Sequence, residues 1–202
     1  LDYHEVRFWD KICEVFDWAE ENVTSTMFSC WAAHAALYHH YGLNRHLRQQ
    51  KLSGVYKHYP LSSKEQLTRG FDEYFNVPHS RYGYISLSDY QSVENLNVLA
   101  QSDEAGVYLV ASKNKRQVYL TGHPEYDTST LHEEYLRDRK TNDNTQLPLN
   151  YYYQDNENNK PVGSWRSHGS LLFTNWLNYY VYQITPYRLD ASNMKTVQTD
   201  ES

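Results

Sequence analysis

Cys30, His123 and Glu125 are the residues of this chain whose types and surroundings best suit covalent chemistry. Cys30 ends a short β-prone run, Thr24 to Ser29, and precedes an Ala-rich, helix-favouring run from Trp31 to Tyr38. A cysteine on such a strand-to-helix turn projects from the sheet edge. The helix N-terminus favours its thiolate, and the next backbone amide, that of Trp31, can face an oxyanion. The competing reading is a buried structural cysteine at the end of a core strand. His123 follows another strand pattern and sits in Thr121-Gly122-His123-Pro124-Glu125-Tyr126-Asp127. Residues two apart on an extended segment point the same way, so Glu125 can orient the imidazole and stabilise its protonated form. Cysteine, histidine and carboxylate at strand ends suit thiol-based acyl transfer.

The elements that must position these groups are visible in the pattern. Trp9, Ile12, Cys13, Phe16 and Ala19 form one helical stripe, on which Cys13 reads as an inert core residue. Gly42 is the natural stop of the helix after Cys30. Val107–Ala111 and Gln117–Thr121 read as a hairpin with a polar turn between them. Helices are expected over Ser129–Arg139 and Leu171–Gln183, with a polar loop at Gln154–Lys160 and a polar tail from about Asp190. The alternation predicts an α/β sandwich with a largely parallel sheet, whose ligands lie beyond the strand ends.

Bulk composition narrows the function classes. At 202 residues, with 40% apolar and 22% charged residues, the chain suits one soluble domain with a sizeable core. A net charge of −6 argues against nucleic acid as a partner. No apolar run approaches the roughly 18 residues that span a bilayer, so no membrane role is expected. Two cysteines make no disulfide framework, which fits a cytoplasmic location with reduced thiols. His34, His39 and His40 lack carboxylates or thiols at ligand spacing, so no metal is expected. Arg45, His46, Arg48 and Lys51 form a basic cluster that could attract phosphate or carboxylate, or form a solvated face.

Longer stretches carry a resemblance. They are Val23-Thr24-Ser25-Thr26 leading to Cys30-Trp31-Ala32, Lys51-Leu52-Ser53-Gly54-Val55, Arg69-Gly70-Phe71-Asp72, Pro78-His79-Ser80-Arg81, the His123 motif, Ser164 to Gly169, and Leu171 to Gln183. Over them, and to about Leu189, the chain resembles the homoserine O-acyltransferases, the succinyl- and acetyltransferases of the class I glutamine amidotransferase-like fold. The resemblance implies a flavodoxin-like three-layer sandwich, one domain over 1–189 with 190–202 as a tail, and N-terminal strands missing from this chain. It implies a Cys30 thioester formed from acetyl- or succinyl-CoA, used as co-substrate with no bound cofactor. His123 would then be the base on the hydroxyl of homoserine and Glu125 its orienting group, in methionine biosynthesis. Glu134 and Arg137 match a Glu-x-x-Arg that holds the substrate's ammonium and carboxylate, and Lys51 and Ser80 match substrate-contacting positions. A homodimer is implied as well. His34 departs from the glutamine usual in the family at that position, one turn from Cys30. A serine O-acetyltransferase of cysteine biosynthesis is the nearest alternative, and a glutamine amidotransferase or thiol hydrolase the alternative of another class.

Overall fold

The structure is a computed structural model, in which residues 3–185 are described. Helix α1 spans Trp9–Asn22, with Trp9, Phe16 and Ala19 buried and Ile12 and Cys13 packed against the same cluster, as the stripe predicts. Strand β1 (Thr26–Ser29) leads through Cys30 into α2 (Trp31–Tyr41). Gly42 closes α2 at φ 69°, donating its N–H to the Tyr38 carbonyl at 2.8 Å. That left-handed turn is open to glycine because it has no Cβ. Then come β2 (His46–Pro60), β3 (Phe75–Tyr84), α3 (Leu87–Gln91), β4 (Leu96–Ser102), β5 (Gly106–Ser112), β6 (Gln117–Leu120), α4 (Thr130–Arg139) and α5 (Arg166–Asn175).

The six described strands form one sheet in the order β1-β6-β5-β4-β2-β3. Both faces are covered. Phe28, Val110 and Tyr119 pack under α1 and α2, while Leu109, Val118 and Leu120 pack under Leu172 of α5 and Tyr180 just beyond it. Neighbouring residues of β6 therefore serve opposite layers, which is the period-two geometry of a strand inside a three-layer sandwich.

The α/β sandwich holds, but the sheet is mixed rather than largely parallel. Among the described strands only β1 and β6 run parallel, with Thr26 opposite Gln117 and Ser29 opposite Leu120. The other four pairings are antiparallel. Short connections decide this, because a strand joined to its neighbour by a tight turn must return antiparallel, whereas a parallel partner needs a crossover. Lys113–Arg116 joins β5 to β6 in this way, and Asp103–Ala105 joins β4 to β5.

The aromatic C-terminal helix also differs. It begins at Arg166 and passes at Trp176 into a π-helical stretch, Trp176–Tyr182. The expected loop at Gln154–Lys160 carries a short 3-10 turn at Tyr153–Asp155. The expected boundary at Leu189 and the tail beyond it lie outside the described residues. No helix among the described residues is long and apolar enough to cross a membrane.

Candidate active site

Cys30 stands on the elbow itself. Its backbone has φ 49° and ψ −111°, a region that costs a non-glycine residue on the order of 1–3 kcal/mol. Two bonds hold it there: its N–H donates to the Leu120 carbonyl of β6 at 2.7 Å, and its own carbonyl accepts from the His34 amide at 3.2 Å. Trp31 is the first residue of α2, so its amide has no intrahelical acceptor and lies at the positive end of the helix.

The parallel pairing of β1 and β6 brings the second group to the same edge. Ser29 lies opposite Leu120, and His123 follows three residues later. The connecting Gly122 is pressed against β3, where a Cβ would stand 2.6 Å from Val77 Cγ1 and 2.9 Å from His79 Cε1. The His123 amide donates to the Pro78 carbonyl at 2.8 Å, which fixes the turn. His123 Nδ1 then meets Glu125 Oε1 at 2.7 Å, and Cys30 stands close enough to bear on the charge of the same ring. Burial pulls the His123 pKa down, but Cys30 and Glu125 outweigh it and hold the ring at about 9. The imidazole therefore carries its charge beside Cys30 and a carboxylate, a setting in which it can give or take a proton.

From His123 the arrangement continues into a cavity. Tyr126 stacks on the imidazole with ring centroids 4.1 Å apart and planes 19° from parallel. Its hydroxyl donates to Glu134 Oε1 at 3.1 Å. Glu134 lines a cavity of about 620 Å³ together with Lys51, Ser53, Ser80, Arg137 and Asp138. The four residues expected to contact substrate, Lys51, Ser80, Glu134 and Arg137, thus share one cavity. Strand pairing explains half of this, since Ser80 of β3 lies opposite Ser53 of β2. Glu134 and Arg137 do not pair with each other. Arg137 gives two N–H groups to Asp138 Oδ1 at 3.0 and 2.9 Å. Lys51 Nζ donates to Asp138 Oδ2 at 2.6 Å and lies 3.8 Å from Glu134 Oε2. That second Glu134 oxygen is buried and accepts no hydrogen bond.

Two members of this wall escaped sequence reasoning. Asp138 lies one helical turn after Glu134 and beside Arg137, a spacing that could have flagged it. Tyr126 lies inside the histidine motif, but no spacing rule predicts its stack.

The basic cluster disperses along β2. Arg45 covers the Tyr3 ring, His46 meets Asp89 at 3.1 Å, and Arg48 lies over Tyr84 and reaches the Ala105 carbonyl at 3.4 Å. Only Lys51 faces the cavity of Glu134 and Arg137 together with Ser80. His34 is buried on α2, its pKa lowered to about 3 by burial first and then by Arg81 and Arg45.

Behind Gly122 lies a chain of polar groups with no exposed member. Arg81 Nε donates to His79 Nδ1 at 3.3 Å, so His79 carries its proton on Nε2 and donates it to His58 Nε2 at 3.1 Å. His58 Nδ1 then donates to the Tyr56 carbonyl at 2.9 Å. Arg81 completes its fork on the Gly83 and Ala105 carbonyls, each at 2.6 Å.

Comparison with known proteins defines first the fold and then the family. The fold is that of class I glutamine amidotransferases. A glutamine amidotransferase from Thermotoga maritima superposes with a TM-score of 0.61 at 12% identity, covering 88% of this chain and 71% of that one. A second, from Methylobacillus flagellatus, gives a TM-score of 0.60 at 7% identity, covering 86% and 70%. At such identities the likeness concerns the fold alone.

The chain belongs to the homoserine O-succinyltransferase family, whose sequence profile matches residues 1–187. A homoserine O-succinyltransferase of Pseudoalteromonas atlantica is 55% identical over 195 residues, 96% of this chain and 63% of the relative. One from Alteromonas mediterranea is 55% identical over 94% of this chain and 61% of its own length. One from Shewanella sp. strain ANA-3 is 51% identical over the whole of this chain and 64% of its own. The chain therefore spans a little under two thirds of the length of the curated relatives it matches.

Proposed function

We propose that the protein is an O-acyltransferase that moves a succinyl group from succinyl-CoA to the hydroxyl of L-homoserine through a thioester on Cys30. The observation that carries this reading is the setting of His123, a half-buried imidazole hydrogen-bonded to Glu125 and held protonated by Cys30 and Glu125 beside the strained elbow. The names of the relatives support the acceptor and the acyl group.

The chemistry runs in two halves. With its proton already on His123, the Cys30 sulfur attacks the acyl-CoA carbonyl as a thiolate, and the Trp31 amide at the head of α2 stabilises the oxyanion. The C–S bond to CoA breaks, and the proton held on His123 goes to the departing CoA sulfur. His123, now neutral, takes the proton of the homoserine hydroxyl as that oxygen attacks the thioester. The Cys30 sulfur leaves, and O-succinylhomoserine is released. Glu125 holds the ring in place and balances its charge in both halves.

The acceptor fits the cavity by charge. The buried oxygen of Glu134 that accepts no hydrogen bond suits an α-ammonium, and the exposed edge of Arg137 that Asp138 leaves over suits an α-carboxylate. Ser80 on β3 and Lys51 on β2 contact the same acceptor, with Lys51 also fixing the two acidic side chains.

Steady-state comparison of donors and acceptors tests the proposal. A kcat/KM for succinyl-CoA with homoserine above those for acetyl-CoA or for serine is expected. A clear preference for serine, or hydrolysis of glutamine without CoA, overturns it.

A further inference from the structure

Tyr126 touches both halves of the candidate site. Its ring lies flat on His123 at 4.1 Å, and its hydroxyl hydrogen-bonds Glu134 at 3.1 Å. Its backbone is fixed on both sides. The Tyr126 amide donates to the His123 carbonyl at 3.2 Å, and the Tyr126 carbonyl accepts from the indole Nε1 of buried Trp165 at 3.0 Å. The ring therefore has little freedom to answer a change at one end except by changing its contact at the other.

We propose that Tyr126 is a positioning residue that couples occupation of the acceptor's ammonium site at Glu134 to the protonation and orientation of His123. The inference rests on the function proposed above.

The physical argument is electrostatic. A cationic ring over the face of a tyrosine is stabilised by the negative face of the π-system. A phenol that donates to a carboxylate carries more electron density in its ring, so the bond to Glu134 strengthens that attraction. With no acceptor bound, the imidazolium is the favoured state, which is the acid needed to protonate departing CoA. An ammonium arriving on the buried oxygen of Glu134 draws off the carboxylate's charge and weakens the phenol's hydrogen bond. The support for the imidazolium falls as the acceptor arrives. His123 then more readily gives up its proton to become the base that the second half requires. No proton crosses Tyr126 itself. Its hydroxyl pKa is pushed up, by burial first and then by Glu134, so it stays protonated throughout.

The test separates the two halves and removes the ammonium. Tyr126→Phe keeps the stack and deletes the link. CoA release without acceptor reports acylation, and loss of the thioester on adding acceptor reports discharge. The acceptors are homoserine and 4-hydroxybutyrate, which lacks the amino group. In the unsubstituted protein the pH profile of discharge should rise at higher pH with 4-hydroxybutyrate than with homoserine, and Tyr126→Phe should close that gap by moving the 4-hydroxybutyrate profile to lower pH, while acylation slows about tenfold. Discharge to homoserine, whose ammonium already weakens the link, should change less than about twofold. A gap equally wide in both proteins, or no gap in either, would overturn the coupling, and equal slowing with both acceptors would mean a purely structural role. Tyr126→Leu, which loses the stack as well, should slow both halves, and an unchanged acylation rate in it would contradict the stacked ring's part. If the unsubstituted protein forms no thioester at all, the functional reading has failed instead.

Discussion

Two groups of histidines meet at Gly122, and they have opposite fates. On one side His123 is held protonated, its pKa raised to about 9 against the pull of burial by Cys30 and the Glu125 carboxylate beside it. On the other side His58 is lowered to about 4, and His79 lies well below the ordinary imidazole range, burial being the main cause in both. Their partners are another imidazole, the Arg81 guanidinium and the Tyr56 carbonyl, and of these only the carbonyl favours a positive charge, too weakly to offset burial. The same residue type thus becomes a proton carrier or a neutral strut according to whether an acid stands beside it. The two roles are mechanically joined, since His79 Cε1 and Nε2 lie where a Cβ on Gly122 would have to go.

The sharpest way to break the contrast is to remove the carrier. His123→Gln is expected to lower kcat for acyl transfer by about a thousandfold or more, a loss far beyond what its lower urea midpoint accounts for. Steady-state kinetics and urea denaturation on one preparation check both halves of that statement. Glu125→Gln should act next most strongly. It keeps a hydrogen-bonding group against Nδ1 but removes the charge, so kcat should drop about a hundredfold and the His123 pKa should fall towards 6.5. The histidine ring resonances followed by NMR against pH would read that shift.

Breaking the strut should do the reverse. His79→Ala leaves the Arg81 Nε–H and the His58 Nε2 without partners in a dry interior, at a cost of about 2 kcal/mol in unfolding free energy. The activity lost per folded molecule should be smaller than in either carrier variant.

The smallest effect is the pH profile of stability, in which the two groups carry opposite signs. Unfolded histidine titrates near 6.5 while native His58 and His34 titrate near 4 and 3, so the unfolded chain binds more protons below 6.5. Stability should therefore fall as pH drops from 6.5 towards 4. His123 does the opposite: its contribution is complete below 6.5 and is lost as pH rises through about 9. Urea midpoints across this range should peak near 6.5, and His123→Gln should flatten the alkaline limb while leaving the acid limb intact.

Much of this was legible in the chain, and the remainder was hidden for physical reasons. The stripe of α1, the elbow at Cys30, the stop at Gly42 and the β5–β6 hairpin rest on local patterns, and local patterns are what a sequence displays. Strand β2 was invisible because its first half is charged and exposed, and it gains strand geometry from β3 and not from any alternation of its own. The histidine chain was hidden for a related reason. His58 and His79 lie on different strands, and in the β2–β3 register His58 faces Phe75 while His79 faces Gly54. Their contact is diagonal and exists only once the sheet has formed. For the cavity, the family resemblance supplied Lys51, Ser80, Glu134 and Arg137, while Asp138 and the Tyr126 stack emerged only with the fold.

The central claim is a covalent intermediate on Cys30, and mass spectrometry of the intact protein addresses it most directly. Brief incubation with succinyl-CoA, quenched in acid, should add the mass of one succinyl group. Peptide mapping should place it on Cys30, homoserine should remove it, and Cys30→Ala should show none. No adduct on the unsubstituted protein, or an equal adduct on Cys30→Ala, would contradict the account.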